Sequence, residues 1–242
     1  MKLSVLIPVY NERATLGEIL RRVQEVPVEK EIIVVDNCST DGTREDLLAM
    51  REAGQAKGET GDENSAARLR IVLQSENLGK GASVRRALSL ARGDWVIVQD
   101  ADLEYDPRDY LKLLALAERK NAVAVFGSRL RGGESRNRQP RTAFYYGRVG
   151  LSVVFRVLYA SPLSDVATCY KLMRRETAQS LDLRGSGFDL DFEISARLRR
   201  RGIRIWETPI SYAPRTELEG KKIRVVRDGL RAVWTLVKYR FA

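Results

Sequence analysis

Two carboxylates one residue apart, Asp100 and Asp102, follow directly on the apolar run Trp95-Val-Ile-Val98. A buried strand ending in such a pair delivers both acids to one sheet edge. There they can hold a hard divalent cation, Mg²⁺ or Mn²⁺, with phosphate oxygens of a substrate filling the remaining positions. Acids at this spacing also open helices, as Asp106 before Pro107 would do; the apolar strand in front favours the metal reading. The chain has 242 residues and no histidine, which excludes a Ser-His-Asp triad, an imidazole base and a histidine-ligated zinc. Acid, base and metal work falls to carboxylates.

The other residues able to do chemistry also stand after apolar runs. Pro8-Val-Tyr-Asn-Glu12 follows Leu3–Ile7, Asp36 follows Ile32–Val35, and Gly127-Ser-Arg129 follows Ala122–Phe126. Asn77-Leu-Gly-Lys80-Gly81 comes after Leu69–Leu73. Ligands of open parallel sheets bind outside the carboxyl ends of the strands, so these segments converge on one site for a phosphorylated ligand with a metal. Gly79-Lys80-Gly81 is not a P-loop, because Gln74 stands where that motif needs its first glycine. A glycine-rich turn opening a helix can still offer backbone N–H groups to an anion. No G-x-G-x-x-G occurs, which argues against a dinucleotide oxidoreductase.

The elements that must position these residues alternate. Helical spacing at Leu16, Ile19, Leu20 and Val23, at Thr43 to Met50, at Val84, Leu88 and Ala91, and at Tyr110 to Ala117 separates continuous apolar strands. That pattern predicts an α/β fold with a mostly parallel, Rossmann-like sheet covered by helices on both faces. Gly54 to Arg68 reads as an excursion loop. Further on come an arginine-rich loop, Leu130 to Thr142, and an amphipathic segment to Ala160. Thr168–Met173 reads as a strand, Asp189 to Arg201 as a helix, Ile203–Trp206 as a strand and Lys222 to Phe241 as a helix. No linker marks a boundary, so residues 1–242 are read as one domain, with a ligand-binding half to 128 and a second half from 129.

The net charge of +10 points to a polyanionic partner. Residues 129–156 hold seven arginines against one acid, Glu134, and residues 221–242 hold seven Lys or Arg against Asp228. These two blocks carry the excess; the rest of the chain is nearly neutral. In the last helix Ile223, Val226, Leu230, Val233, Trp234, Val237 and Phe241 share a stripe opposite Arg224, Arg227, Arg231 and Lys238. Such a helix either lies in a membrane interface or packs its stripe on the core. No run is long and apolar enough to span a bilayer: Leu3 to Tyr10 is short, and Phe144 to Ala160 contains Arg148 and Arg156. The two cysteines, Cys38 and Cys169, suit a reducing compartment. A cytoplasmic protein, peripheral at the membrane face, is the expectation. No nucleic-acid motif is present, and aromatics are not interleaved with the basic blocks.

The set Pro8-Val-Tyr-Asn-Glu12, Val34-Val-Asp36 with Asp41-Gly-Thr43, Asn77-Leu-Gly-Lys-Gly81 and Asp100-Ala-Asp102 resembles the inverting family-2 glycosyltransferases of GT-A fold. Within them it is most similar to the dolichyl- and polyprenyl-phosphate mannosyl- or glucosyltransferases. Gly127-Ser-Arg129, Asp165 before Cys169-Tyr-Lys-Leu, and Phe188-Asp-x-Asp-x-Glu193 fall in family order, so the likeness covers nearly the whole chain. The resemblance implies that Pro8, Tyr10, Glu12 and Asp36 line the base and ribose of a nucleotide-sugar. Lys80, Asp100, Ala101 and Arg129 complete the donor site. Asp102 holds the metal at the diphosphate with Asp100 and Glu104, although many relatives have Gln where this chain has Glu104. Asp165 becomes the base or sugar-orienting residue, and Arg131, Arg136, Arg138, Arg141 and Arg215 meet the acceptor.

The implied reaction is inverting transfer of a hexose from GDP-mannose or UDP-glucose to a polyprenyl phosphate. A phosphomonoester with its second pKa near ~6 arrives mostly dianionic and needs positioning more than deprotonation, which suits a chain without histidine. A hydroxyl acceptor would need a base at Asp165, which otherwise is a loop aspartate after Pro162 bonding its own backbone. A related transferase with a soluble or glycan acceptor and a non-catalytic nucleotide-sugar or nucleic-acid binder stay open. A sugar-nucleotide pyrophosphorylase does not fit, since Pro8-Val-Tyr-Asn-Glu12 replaces its glycine-rich, arginine-containing loop.

Overall fold

Leu3–Val9, Lys30–Asp36 and Trp95–Val98 are buried along almost their whole length, as strands must be when helices cover both faces of a sheet. The computed structural model describes residues 2–54, 69–131, 142–215 and 225–241. In it these three are β1, β2 and β4 of a seven-stranded sheet ordered β3-β2-β1-β4-β6-β5-β7. β3 is Leu69–Leu73, β5 Ala124–Ser128, β6 Lys171–Arg174 and β7 Ile205–Pro209. The helices are α1 Arg13–Glu25, α2 Thr43–Glu52, α3 Lys80–Leu90, α4 Tyr110–Lys120, α5 Ala143–Tyr159, α6 Arg175–Ser180, α7 Leu190–Arg200 and α8 Val225–Phe241. α1 buries Leu16, Ile19, Leu20 and Val23, the stripe its periodicity predicts.

The α/β class and the mostly parallel sheet are as expected, and one strand is reversed. β6 runs antiparallel to both neighbours, pairing Val96 with Met173 on β4 and Ala124 with Met173 on β5. β5 therefore does not lie beside β4. A run of buried apolar residues says that a strand is covered on both faces but not which way it points. The start of β6, not its end, meets the carboxyl ends of β1 and β4, so Cys169 and the segment before it reach the ligand edge. The short helix α6 was not legible as a separate element.

α8 packs along α5 and α7. Ala232, Leu236 and Tyr239 face inward, and the Tyr159 hydroxyl donates to the Leu236 carbonyl at 2.7 Å. Leu230, Trp234 and Phe241 remain 68%, 66% and 77% exposed among Arg227, Arg231 and Lys238. Tyr146, Val153 and Val157 of α5 are likewise exposed. The last helix thus has two apolar edges, one on the core and one outside. Ile223, Arg224 and most of the loops at 54–68 and 130–142 lie outside the described residues. Among the described residues no helix is long and apolar enough to cross a membrane.

Candidate active site

A cavity of about 890 Å³ opens at the carboxyl ends of β1, β2 and β4 and runs on between α5, α7 and α8. Pro8, Tyr10, Glu12, Lys80, Asp100, Ala101, Asp102, Glu104, Arg129 and Arg215, all singled out from the sequence, line it. Asp36 does not. It is fully buried, and its carboxylate accepts from the Ser39 amide and from Arg44 Nη1, each at 3.1 Å. The next residue, Asn37, takes its place on the wall and clamps the loop after β3: Asn37 Nδ2 donates to Asn77 Oδ1 at 2.8 Å, and Leu78 N donates to Asn37 Oδ1 at 2.9 Å. Arg136, Arg138 and Arg141 lie outside the described residues.

The three acids after β4 do not form one ligand set. Asp100 is paired with Lys80 at 2.7 Å, and Lys80 also lies 3.8 Å from Asp191. Burial works against the Lys80 charge, but Asp100, the neighbouring thiol of Cys169 and Asp191 hold its pKa well above the usual lysine range. Leu103, at φ 62°, puts a left-handed residue between Asp102 and Glu104, and the two carboxylates meet different partners. Glu104 accepts from the Tyr212 hydroxyl and the Arg215 amide, both at 2.8 Å. It secures the segment 212–215, which is bridged at Tyr105–Tyr212. Glu104, expected at the metal, thus has each carboxylate oxygen engaged by that strap.

Asp102 is different. Its carboxylate lines the cavity and among the described residues is met only by the Glu104 amide at 3.1 Å. Burial, then the charges of Asp100 and Glu104, push its pKa up to about 7. A carboxylate in a partly desolvated corner, near Asp100 and Glu104 and with no ion-pair partner among the described residues beyond the field of Arg215, fits a divalent ion. No cluster of three ligating side chains occurs among the described residues, so such an ion would take its other ligands from substrate and water.

Arg215, expected at the acceptor, instead meets the segments expected at the donor. Its Nε donates to the Asp102 carbonyl at 2.7 Å, and its Nη2 donates to Glu12 Oε2 at 2.9 Å and Thr15 Oγ1 at 3.3 Å. Asp165 is corrected as well. It is fully buried, absent from the cavity wall, and gripped by Arg129: Nε donates to Oδ2 at 2.7 Å, Nη2 to Oδ1 at 2.8 Å and the backbone N–H to Oδ2 at 3.0 Å. Burial disfavours its charge, but Arg129, helped by Arg148, outweighs burial and holds the carboxyl below the ordinary range. A carboxylate so engaged is a poor base; it fixes the plane of a guanidinium.

That guanidinium faces the cavity between the rings of Tyr105 and Tyr212, 5.7 and 5.2 Å from their centroids. Arg148 of α5 lies over the other neighbours, 5.5 Å from Tyr212 and 5.8 Å from Tyr145. Burial and the adjacent Arg129 lower the Arg148 pKa. Two cations, Arg129 already paired with Asp165, thus stand side by side on the cavity wall. Sequence reasoning missed Arg148 and the tyrosines, although an arginine inside an apolar helical segment was a usable signal. Arg131 pairs with Glu207 at 3.4 Å and does not line the cavity.

The glycine turn before α3 also departs from expectation. The amides of Gly81 and Ala82 donate to the Ser186 carbonyl at 2.7 and 3.2 Å, so they are not offered to an anion. A Cβ at Gly81 would sit 2.6 Å from the Gly185 carbonyl oxygen. The glycines let two loops touch backbone to backbone.

A strand-end carboxylate for a cation, a cavity between the two halves of an α/β sheet and paired arginines facing it agree with what the sequence matches. Residues 4–181 match Glycosyl transferase family 2, and the chain belongs to that family. It is 26% identical to the dolichol-phosphate mannosyltransferase of Pyrococcus furiosus over 99% of this chain and 64% of that protein. It is 29% identical to the undecaprenyl-phosphate mannosyltransferase of Micrococcus luteus over 99% of both. The chain thus spans somewhat under two thirds of the Pyrococcus protein's length but nearly all of the Micrococcus one. The fold is that of glucosyl-3-phosphoglycerate synthase from Mycobacterium tuberculosis, solved with Mn²⁺, UDP and glucosyl-3-phosphoglycerate, with a TM-score of 0.67 at 17% identity over 99% of this chain and 80% of that one. It is the GT-A fold.

Proposed function

We propose that the protein transfers a hexose, with inversion, from a nucleotide-diphospho-sugar to a polyprenyl phosphate at a membrane surface. The observation that carries this reading is the polarity of one continuous cavity: Asp102, a carboxylate with no ion-pair partner among the described residues, at the strand edge, and Arg129, its side chain 9% exposed, with buried Arg148 towards α5. Asp102 would hold Mg²⁺ or Mn²⁺, whose Lewis acidity stabilises a departing nucleoside diphosphate. Lys80, held between Asp100 and Asp191, keeps its charge at the donor end. Arg129 and Arg148 would hold the acceptor phosphate, already dianionic, in line with the anomeric carbon. Asp165 then serves by orienting Arg129, not by taking a proton. Two halves, residues 1–128 for the donor and 129–242 for the acceptor, describe this division, with Arg215 as an exception that crosses it.

A phosphorylated soluble acceptor would satisfy the arginines equally well. The lipid is favoured by the apolar wall beyond them, Leu151, Val154 and Val233, and by the outward Leu230, Trp234 and Phe241 among basic residues. Such a face suits an anionic bilayer surface. The test is transfer from labelled GDP-mannose and UDP-glucose, with Mn²⁺, to a short-chain prenyl phosphate, to a soluble phosphomonoester and to a glycan hydroxyl. Product with the prenyl phosphate alone is expected. Transfer only to a soluble acceptor would overturn the lipid assignment, and no transfer with any acceptor would leave a nucleotide-sugar binder.

A further inference from the structure

We propose that Glu207 is a positioning residue for the arginines on the acceptor side; the inference rests on Arg129 as the phosphate-binding group. Glu207 lies on β7 opposite Phe126 of β5, two residues from the strand's end, and its side chain is only 3% exposed. Both its oxygens are turned to one turn of chain. The Ser164 amide donates to both at 2.9 Å, the Ser164 hydroxyl to one at 2.9 Å, and the Asp165 amide to the same one at 3.1 Å. The Ser164 hydroxyl also meets that of Ser128 at 2.8 Å, and Ser128 in turn accepts from the Leu130 and Arg131 amides at 3.2 and 3.1 Å. The turn so fixed carries Asp165, both of whose oxygens go to Arg129. Arg131 Nε approaches Glu207 directly at 3.4 Å.

Glu207 therefore acts on Arg129 through Asp165, and on Arg131 both by contact and through Ser128. A buried carboxylate is a costly way to hold a turn, since an apolar side chain of similar volume would avoid its desolvation. The chain instead spends a buried acid where the donors around it are an arginine, Arg131, and backbone or hydroxyl hydrogens of the turn that leads to another. The match is specific to an acceptor-only group: an amide of the same shape brings an NH₂ against the Ser164 and Asp165 N–H groups.

The test is Glu207→Gln in the full chain, read three ways. Thermal stabilisation by UDP or GDP with Mn²⁺ is expected to persist, because the donor end is untouched. The Arg129 Nε–H, assigned by its disappearance in Arg129→Lys, is expected to exchange with solvent at least about tenfold faster in Glu207→Gln. The KM for a short-chain prenyl phosphate is expected to rise about tenfold with donor KM unchanged, and Glu207→Gln should add much less in the Arg129→Lys background than in the wild type. An Arg129 Nε–H as protected as in the wild type, or a fall in kcat with acceptor KM unchanged, would overturn the proposal. Should the wild-type chain not use prenyl phosphate, the acceptor reading fails while the exchange measurement still decides the role of Glu207. Should Glu207→Gln not fold, Glu207→Asp, which keeps the charge but shortens the reach, is read for the same exchange; unchanged protection there also overturns it.

Discussion

Arg215 reaches Glu12 at 2.9 Å across 203 positions of sequence, and the same guanidinium donates to the Asp102 carbonyl at 2.7 Å. One side chain from the segment after β7 thus ties the end of β1 to the acidic loop after β4. Arg215→Ala removes this tie and leaves Glu12 and the Asp102 carbonyl short of a donor. A loss of about 1–3 kcal/mol in stability is expected, with nucleotide-sugar affinity weakened more than acceptor affinity. Denaturant unfolding and titration of each substrate would show it; an acceptor-only defect would return Arg215 to the acceptor side.

Asp102→Asn is the direct test of the cation site. It relieves the repulsion from Asp100 and Glu104 that, with burial, raises the Asp102 pKa, so the thermal midpoint should hold or rise slightly. Stabilisation by Mn²⁺ with a nucleoside diphosphate should vanish, along with transfer. Wild-type turnover in this variant would remove the assignment.

The Asp165–Arg129 pair gives a pH dependence of known sign. The folded pKa of Asp165 lies below its unfolded value of about 3.9, so its contribution is full above that value and is lost as pH falls through the folded pKa. Asp165→Asn should cost ~3–5 kcal/mol near neutrality by stranding a buried guanidinium. It should also flatten the acid limb of the stability profile. A parallel, undiminished acid limb in chemical denaturation between pH 2 and 6 would contradict the pairing; that range brackets the carboxylate titrations.

Gly81→Ala places a methyl against the Gly185 carbonyl and the Ser186 carbonyl carbon, 2.6 and 2.8 Å from where its Cβ must sit. Backbone on both sides leaves little room to give, so a loss of ~1–3 kcal/mol is expected. The shift in urea midpoint measures it. A neutral result would mean that the two loops separate readily.

Trp234→Ala and Leu230→Ala change side chains that already face outward, so the unfolding midpoint should move little. Binding to vesicles of anionic lipid should weaken, each large apolar contact with the interface being worth ~1.5–3 kcal/mol at most. Raising salt should weaken the wild type further through screening of the basic residues. Cosedimentation at two ionic strengths separates the two contributions, and undiminished vesicle binding in the double variant would shift the contact to another face.

What was legible in the sequence was local. The apolar runs located the strands, the residues after them located the ligand edge, and Asp102 could be read from Trp95-Val-Ile-Val98 alone. What was not legible depended on partners remote in the chain. Glu104 and Asp102 look alike in sequence, and only the arrival of Tyr212 and Arg215 shows that Glu104 tethers a remote segment while Asp102 does not. Asp165 reads as a base until Arg129 closes on it. The Gly81 amide reads as an anion donor until Ser186 accepts from it.

The reversed strand β6 also sets an order of assembly. β1, β2, β3 and β4 can pair among themselves as soon as Val98 is available, and all their pairings are parallel neighbours within that stretch. β5 has no such option: its partners are β6 and β7, both later in the chain. During synthesis residues 3–98 thus hold four strands able to pair before either partner of β5, Lys171–Arg174 or Ile205–Pro209, has emerged. The strand that joins the two halves is thus also the step at which a nascent chain passes from half a sheet to a complete one, and mutations that weaken β6 should be felt first as aggregation during production.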